Sequence, residues 1–168
     1  MANLERIQAN NALIQNCIDK ANSLPNAGGG GNSEFIKSLI EEGMFTEIKA
    51  EDLQGFTKIR QNLFFGCENL ETVTLPDSIT EIGSGAFSEC PLSWVKFGKN
   101  ISTIGHYVFT SIFLEYLDFT DCLSIPTIQE SSFAWIESSC EIRVPAGLAI
   151  QWKNATNWSQ YESQIVGV

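Results

Sequence analysis

The chain carries one histidine and only ten basic residues, against twenty acidic ones. The resulting net charge of -10 repels phosphate backbones and anionic headgroups, which argues against nucleic acid and membrane surfaces as partners. No apolar run approaches the roughly 20 residues that cross a bilayer, so no membrane insertion is expected. The first residues, MANLERIQANNALIQNC, lack the basic start and continuous apolar stretch of a secretory leader, which points to synthesis in a reducing cytoplasm. A particle released by lysis would begin the same way. Metal chemistry is short of material too: five cysteines occur, but no C-x-x-C and no H-x-x-x-H spacing, so no metal is expected. GSGAF from Gly83 and the glycines at 28–31 lack the preceding strand or the G-K-[ST] ending of a phosphate loop, and no cofactor is expected. The Asn-x-Ser/Thr triplets at Asn100, Asn154 and Asn157 are chance matches without a secretory route.

What the chain does have is a hydrophobic content of 43%, eleven phenylalanines and a sentence said twice. ITEIGSGAF begins at Ile79 and ISTIGHYVF at Ile101, an offset of 22. The same offset relates Leu70, Val73, Leu75 and Ser78 to Leu92, Val95, Phe97 and Asn100, and these to Leu114, Leu117, Phe119 and Cys122. Three copies of L-x-x-V/L-x-L/F-x-x-S/N/C are the pattern of a leucine-rich repeat. Each copy offers a short strand with inward apolar side chains, then a bend whose freed backbone groups Ser78, Asn100 and Cys122 are placed to meet. On the return leg Ile82, Ile104 and Ile128 are each followed five residues later by Phe87, Phe109 and Phe133. Because neighbouring strands sit about 4.8 Å apart, these predict an isoleucine stack and a phenylalanine stack through a pile of turns. The array extends upstream through Phe56, Ile59 and Phe64 to an initial strand at Phe45, Ile48 and Ala50, and downstream to Ile142 and Val144.

The expected fold is therefore a mainly β repeat solenoid of parallel strands, with about five turns of 22 to 25 residues over 45–145. A cap helix is expected over 33–44 and a helical C-terminal cap over 146–168. Residues 1–24 form a separate helical arm, joined through a Gly-rich linker at 25–32. Leu4, Ile7, Asn11, Ile14 and Ile18 step by 3, 4, 3 and 4, which is either a short coiled-coil seam with a buried asparagine or an amphipathic helix docked on the body or on another protein. The first alternative predicts a homo-oligomer and the second attachment to a larger assembly.

GCENLETVTLPDSITEIGSGAFSEC resembles the repeat of the BspA-like bacterial leucine-rich proteins, with Cys67, Leu70, Val73, Leu75, Pro76, Ile79, Ile82, Gly83, Ala86, Phe87 and Cys90 in their places in order. The departures are Gly98 and Thr120 in place of Pro76, and Gln129 in place of Gly83. The resemblance implies a non-enzymatic binding surface, of a kind seen in cell-surface adhesins and in tail-region genes of bacteriophages. The arm and LIEEGMFTEIKAEDLQGFTKIR resemble reading frames of phage tail regions, more loosely.

The chemistry-bearing residues are few. Cys67 and Cys90 stand at equivalent places one turn apart, within disulfide reach, but buried free thiols are the expected state in a reducing compartment. His106 has Ser102, Ser111, Asp118 and Asp121 near it in sequence, yet it occupies a variable surface site of the repeat, so no catalytic residue is assigned. The outward strand positions are Thr72 and Thr74, Trp94 and Lys96, Tyr116 and Asp118, then Glu141 and Arg143. Trp94, Lys96, Tyr116, Asp118 and Arg143 form the candidate contact patch, because aromatic and arginine side chains dominate binding hot spots and flat rings stack on sugars. The alternative is that the C-terminal cap or the arm folds over the two rings. The expected function is recognition of a protein or surface-glycan receptor, in a phage tail or other virion. A bacterial cell-surface adhesin is the alternative, and an enzyme comes third.

Overall fold

The computed structural model describes Lys37, residues 46–110 and residues 113–168. The arm, the linker and Phe45 lie outside the described residues, as does the expected cap helix except for Lys37, which is helical.

Two parallel sheets enclose the core. The chain alternates between them through β1 (Glu47–Ile48), β2 (Lys58–Ile59), β3 (Thr72–Thr74), β4 (Glu81–Ile82), β5 (Trp94–Lys96), β6 (Thr103–Ile104), β7 (Tyr116–Asp118), β8 (Thr127–Ile128), β9 (Glu141–Val144) and β10 (Ile165–Gly167). The larger sheet has the order β1-β3-β5-β7-β9-β10 and the smaller β2-β4-β6-β8. Registers follow the sequence offset, with Val73 beside Val95, Val95 beside Leu117 and Leu117 beside Ile142. These four side chains are fully buried, as period-two strands with one apolar face require.

The expected stacks form inside. Phe64, Phe87, Phe109 and Phe133 follow one another at ring separations of 5.2, 5.5 and 6.0 Å, each pair near parallel. Phe97 and Phe119 make a second stack at 3.8 Å, and Phe97 meets Phe109 edge-on at 5.7 Å. Ile59, Ile82, Ile104 and Ile128 are all buried on the smaller sheet. Of the polar ladder, Asn100 Nδ2 donates to the Asp77 carbonyl at 2.9 Å and the Cys122 thiol to the Gly98 carbonyl at 3.7 Å, whereas Ser78 is exposed.

Close approach of turns explains two glycines. A Cβ on Gly83 would lie 2.5 Å from the Gln61 nitrogen, and one on Gly105 2.7 Å from that of Ser84. At these positions the turns bond directly, Gly83 N–H to Ile59 at 2.8 Å and Gly105 N–H to Ile82 at 2.9 Å. The departure at Gln129 has a physical answer: its N–H goes instead to the buried Ser132 hydroxyl at 2.8 Å, which donates in turn to the Gly105 carbonyl at 2.7 Å. A hydroxyl bridge replaces the direct bond, so a side chain fits where a glycine was needed.

Both ends of the array differ from expectation. Ala50 opens a 3-10 turn, Ala50–Leu53, rather than continuing β1, and Leu53 is the buried residue there. Asp52 closes that turn by accepting the Lys49 N–H at 2.8 Å. The C-terminal segment is only partly helical: α1 (Ala149–Asn154) is its single α-helix, flanked by 3-10 turns at Ala146–Leu148 and Ser159–Tyr161. The chain then returns to the larger sheet as β10, parallel to β9. This segment closes the core with Trp152, Trp158 and Tyr161, whose rings pack on Phe119 and Phe133. It also replaces the backbone donors of a further turn with side chains. Trp158 Nε1 donates to the Pro126 carbonyl at 2.8 Å, Asn157 to Ile128 at 2.8 Å, Gln160 to Glu130 at 3.1 Å and Gln164 to Glu137 at 3.0 Å. Carbonyls that would otherwise be orphaned at the end of the pile are thereby satisfied.

Candidate functional site: the outer strand face

The outward positions of β5, β7 and β9 fall side by side because Trp94 pairs with Tyr116 and Asp118 with Arg143. The Trp94 and Tyr116 rings stack at 5.9 Å with an interplanar angle of 3°. Arg143 continues the row, its guanidinium carbon 3.9 Å from the centre of the Tyr116 ring. Glu141 holds that guanidinium in place, with Nε and Nη2 each 2.8 Å from the same carboxylate oxygen. A cation over an aromatic face contributes about 0.5–1 kcal/mol at exposed sites, and the carboxylate fork adds direction. Both rings are half-buried. The rings of the C-terminal segment pack at the end of the core and not in this row.

The remaining two candidates are occupied locally. Lys96 pairs with Asp121 at 2.9 Å, and that hydrogen bond, with the charge of Asp121, raises its pKa above the usual lysine value. Asp118 turns back on its own chain, accepting the Thr120 N–H at 2.9 Å and the Thr120 hydroxyl at 2.6 Å. The structure thus joins Trp94, Tyr116 and Arg143 into one stack, with Lys96 and Asp118 at its border and committed to neighbours. Chemically this surface offers the ring edges of Trp94 and Tyr116 and a fixed guanidinium.

Among the described residues, the others weighed from sequence do not assemble a nucleophilic site. His106 is exposed and its Nδ1 lies 2.9 Å from the Ser131 hydroxyl. Ser102 donates to the Thr80 carbonyl at 2.8 Å, while Asp121 and Asp118 are engaged as described. Ser111 lies outside the described residues. Cys67, Cys90, Cys122 and Cys140 are buried. A hydrogen bond with Cys67, together with burial, pushes the Cys90 thiol up, and burial foremost pushes Cys122 and Cys140 up to about 12. Protonated, sheltered thiols pack as small hydrophobes.

A second pair of rings lies outside the repeat pattern. Tyr107 and Trp135 are near parallel at 6.1 Å on the turns that follow β6 and β8, and both are exposed. Their backbones are left-handed, with φ of 53° and 67°. For side-chain-bearing residues that conformation costs about 1–2 kcal/mol each. The sequence carries a signal at one position, since Tyr107 stands where the preceding turn has Gly85, itself at φ 67°.

Across this array, the family model for the BspA type leucine rich repeat region matches in six copies over residues 57–160, more than half of the chain. The chain belongs to that family. The match runs past β9 into the segment expected to be a cap and ends before β10. No curated protein matches the chain. Repeats of the BspA type are protein-interaction modules, and the shared turn accounts for the parallel sheets, the glycines at 83 and 105 and the phenylalanine stack.

Proposed function

We propose that the chain is a non-enzymatic recognition module that binds a protein receptor through the outer face of its larger sheet. The observation that supports this is the continuous stack of Trp94, Tyr116 and Arg143, a cluster of the residue types that dominate interface hot spots, already held rigid before any partner arrives. The setting proposed is a phage tail or similar virion-associated assembly, with a bacterial surface as the second; both rest on the sequence resemblances alone. The arm at 1–24 would attach the module to that assembly or join copies of it.

The test is attachment of the labelled full chain to intact cells of candidate host bacteria, before and after surface proteins are stripped with protease. Attachment should disappear after stripping and should weaken at least tenfold in the Trp94→Ala/Tyr116→Ala variant, since hot-spot truncations cost about 2 kcal/mol or more each. It should change little with added salt, because the two rings carry no charge. Attachment that survives stripping would overturn the protein receptor, and equal attachment by the variant would overturn the patch.

A further inference from the structure

We propose a second ligand site, distinct from the outer strand face: the Tyr107–Trp135 pair is a stacking platform for a neutral saccharide. The two residues are 48% and 73% exposed. At a separation of 6.1 Å and an angle of 26° they are too far apart for a close face-to-face sandwich, so they sit offset, and each leaves part of its face open. Their backbones are left-handed, as are the equivalent positions of other turns: Gly85 and Asn62 for Tyr107, at φ of 67° and 56°, and Gly66 and Glu89 for Trp135, at 68° and 61°. The turn therefore sets the conformation, and what is particular to these two places is that each carries a large ring held out to solvent.

The occupant follows from size, chemistry and charge. Together the two rings expose at most about 300 Å² of side chain, well below the roughly 800 Å² per partner of a stable protein interface. One or two pyranose rings match that area, and their C–H faces stack on aromatic rings. Beside the platform stand hydrogen-bonding groups suited to sugar hydroxyls. The His106 ring is 6.3 Å from that of Tyr107, and its Nδ1 is 2.9 Å from the Ser131 hydroxyl, which leaves the opposite ring nitrogen open. Glu130, exposed on the same turn as Ser131, can accept further hydroxyl protons. An acidic saccharide would meet a chain of net charge -10, so the ligand is uncharged.

Calorimetric titration of the full chain with cellohexaose and with chitohexaose, two neutral sugars with open C–H faces, tests the site; a hyaluronan oligosaccharide serves as the acidic counterpart. Saturable binding of at least one neutral sugar is expected, with no binding of hyaluronan. The Tyr107→Gly/Trp135→Gly variant should lose at least about tenfold in affinity. Its unfolding midpoint should hold or rise, because glycine suits both backbones. If that midpoint falls, the single variant Trp135→Gly decides the outcome, its ring being the more exposed of the two. Absence of saturable binding to either neutral sugar at millimolar concentration, undiminished binding in the variant, or preference for hyaluronan would each overturn the proposal. Because purified sugars are the probes, this result is independent of the protein receptor on the strand face.

Discussion

The molecule builds aromatic rows on both sides of one backbone. Inside, Phe64, Phe87, Phe109 and Phe133 repeat turn by turn, almost wholly out of solvent. Outside, Trp94 and Tyr116 repeat in the same way; the third place belongs to Glu141, and Arg143 two residues further on lays its guanidinium over Tyr116. Parallel in-register stacking positions both rows, because residues at equivalent places in adjacent turns become neighbours. What separates them is the partner on the far side of each ring. The inner row is closed over by Phe97, Phe119 and the tryptophans of the C-terminal segment, whereas the outer row ends in a guanidinium and water. Repetition therefore fixes where rings stand, and burial decides whether they hold the fold or face a partner.

Substitutions on the two rows and at their ends sharpen or break that contrast. Phe109→Ala should have the largest effect on stability, about 3–5 kcal/mol by denaturant unfolding, since Phe87, Phe97 and Phe133 would line the hole. A loss below about half a kilocalorie would place that ring outside the core. At the closing end, Trp158→Phe should cost about 1–3 kcal/mol beyond any packing change, because the Pro126 carbonyl loses its donor. Trp152→Phe should be far milder by the same measurement, its Nε1 being buried without a hydrogen-bond partner among the described residues. Equal losses for the two would mean that ring shape alone matters at the cap. Trp94→Ala/Tyr116→Ala should lower stability by about 0.5–1.5 kcal/mol for the lost ring pair, added to the partial burial of two half-buried rings, and by less than Phe109→Ala, while removing most receptor attachment. A collapse of the fold would make the outer row core after all. Thr74→Ala, at a half-buried outward position with no ring to lose, should stay within about ±0.5 kcal/mol.

The inner row is legible in the sequence because a regular offset converts directly into register. Counting alone places Val73, Val95 and Leu117 together, and it places Trp94 beside Tyr116 as well. Arg143 falls on the same face by the same count, yet its seat on Tyr116 depends on the Glu141 fork, a side-chain geometry that periodicity does not encode. Lys96 stands beside Asp118 as the count places it, while its ammonium reaches Asp121, because the turn after β7 brings that carboxylate within 2.9 Å. The C-terminal segment reads as helix from its apolar spacing. Its last residues pair as β10 since β9 offers an open edge, a tertiary opportunity that local pattern cannot show. Tyr107 and Trp135 escape the pattern for the opposite reason: their backbones follow the repeat, but their side chains do not recur at the equivalent places, which hold Gly85, Asn62, Gly66 and Glu89.

The four described thiols acquire a further meaning from their spacing. Cys67, Cys90, Cys122 and Cys140 recur through successive parts of the array, all shielded from solvent. A thiol reacts as thiolate, so a soluble alkylating reagent can modify each one only when its own turn opens. In a pile whose members touch only their neighbours, opening proceeds from the ends or from the weakest contact inward. The chain thus carries a built-in set of clocks, and the order in which the four sulfurs are modified under native conditions reads out the sequence of its local openings, with Cys140 timing the release of the C-terminal segment that donates to its carbonyl through Gln164.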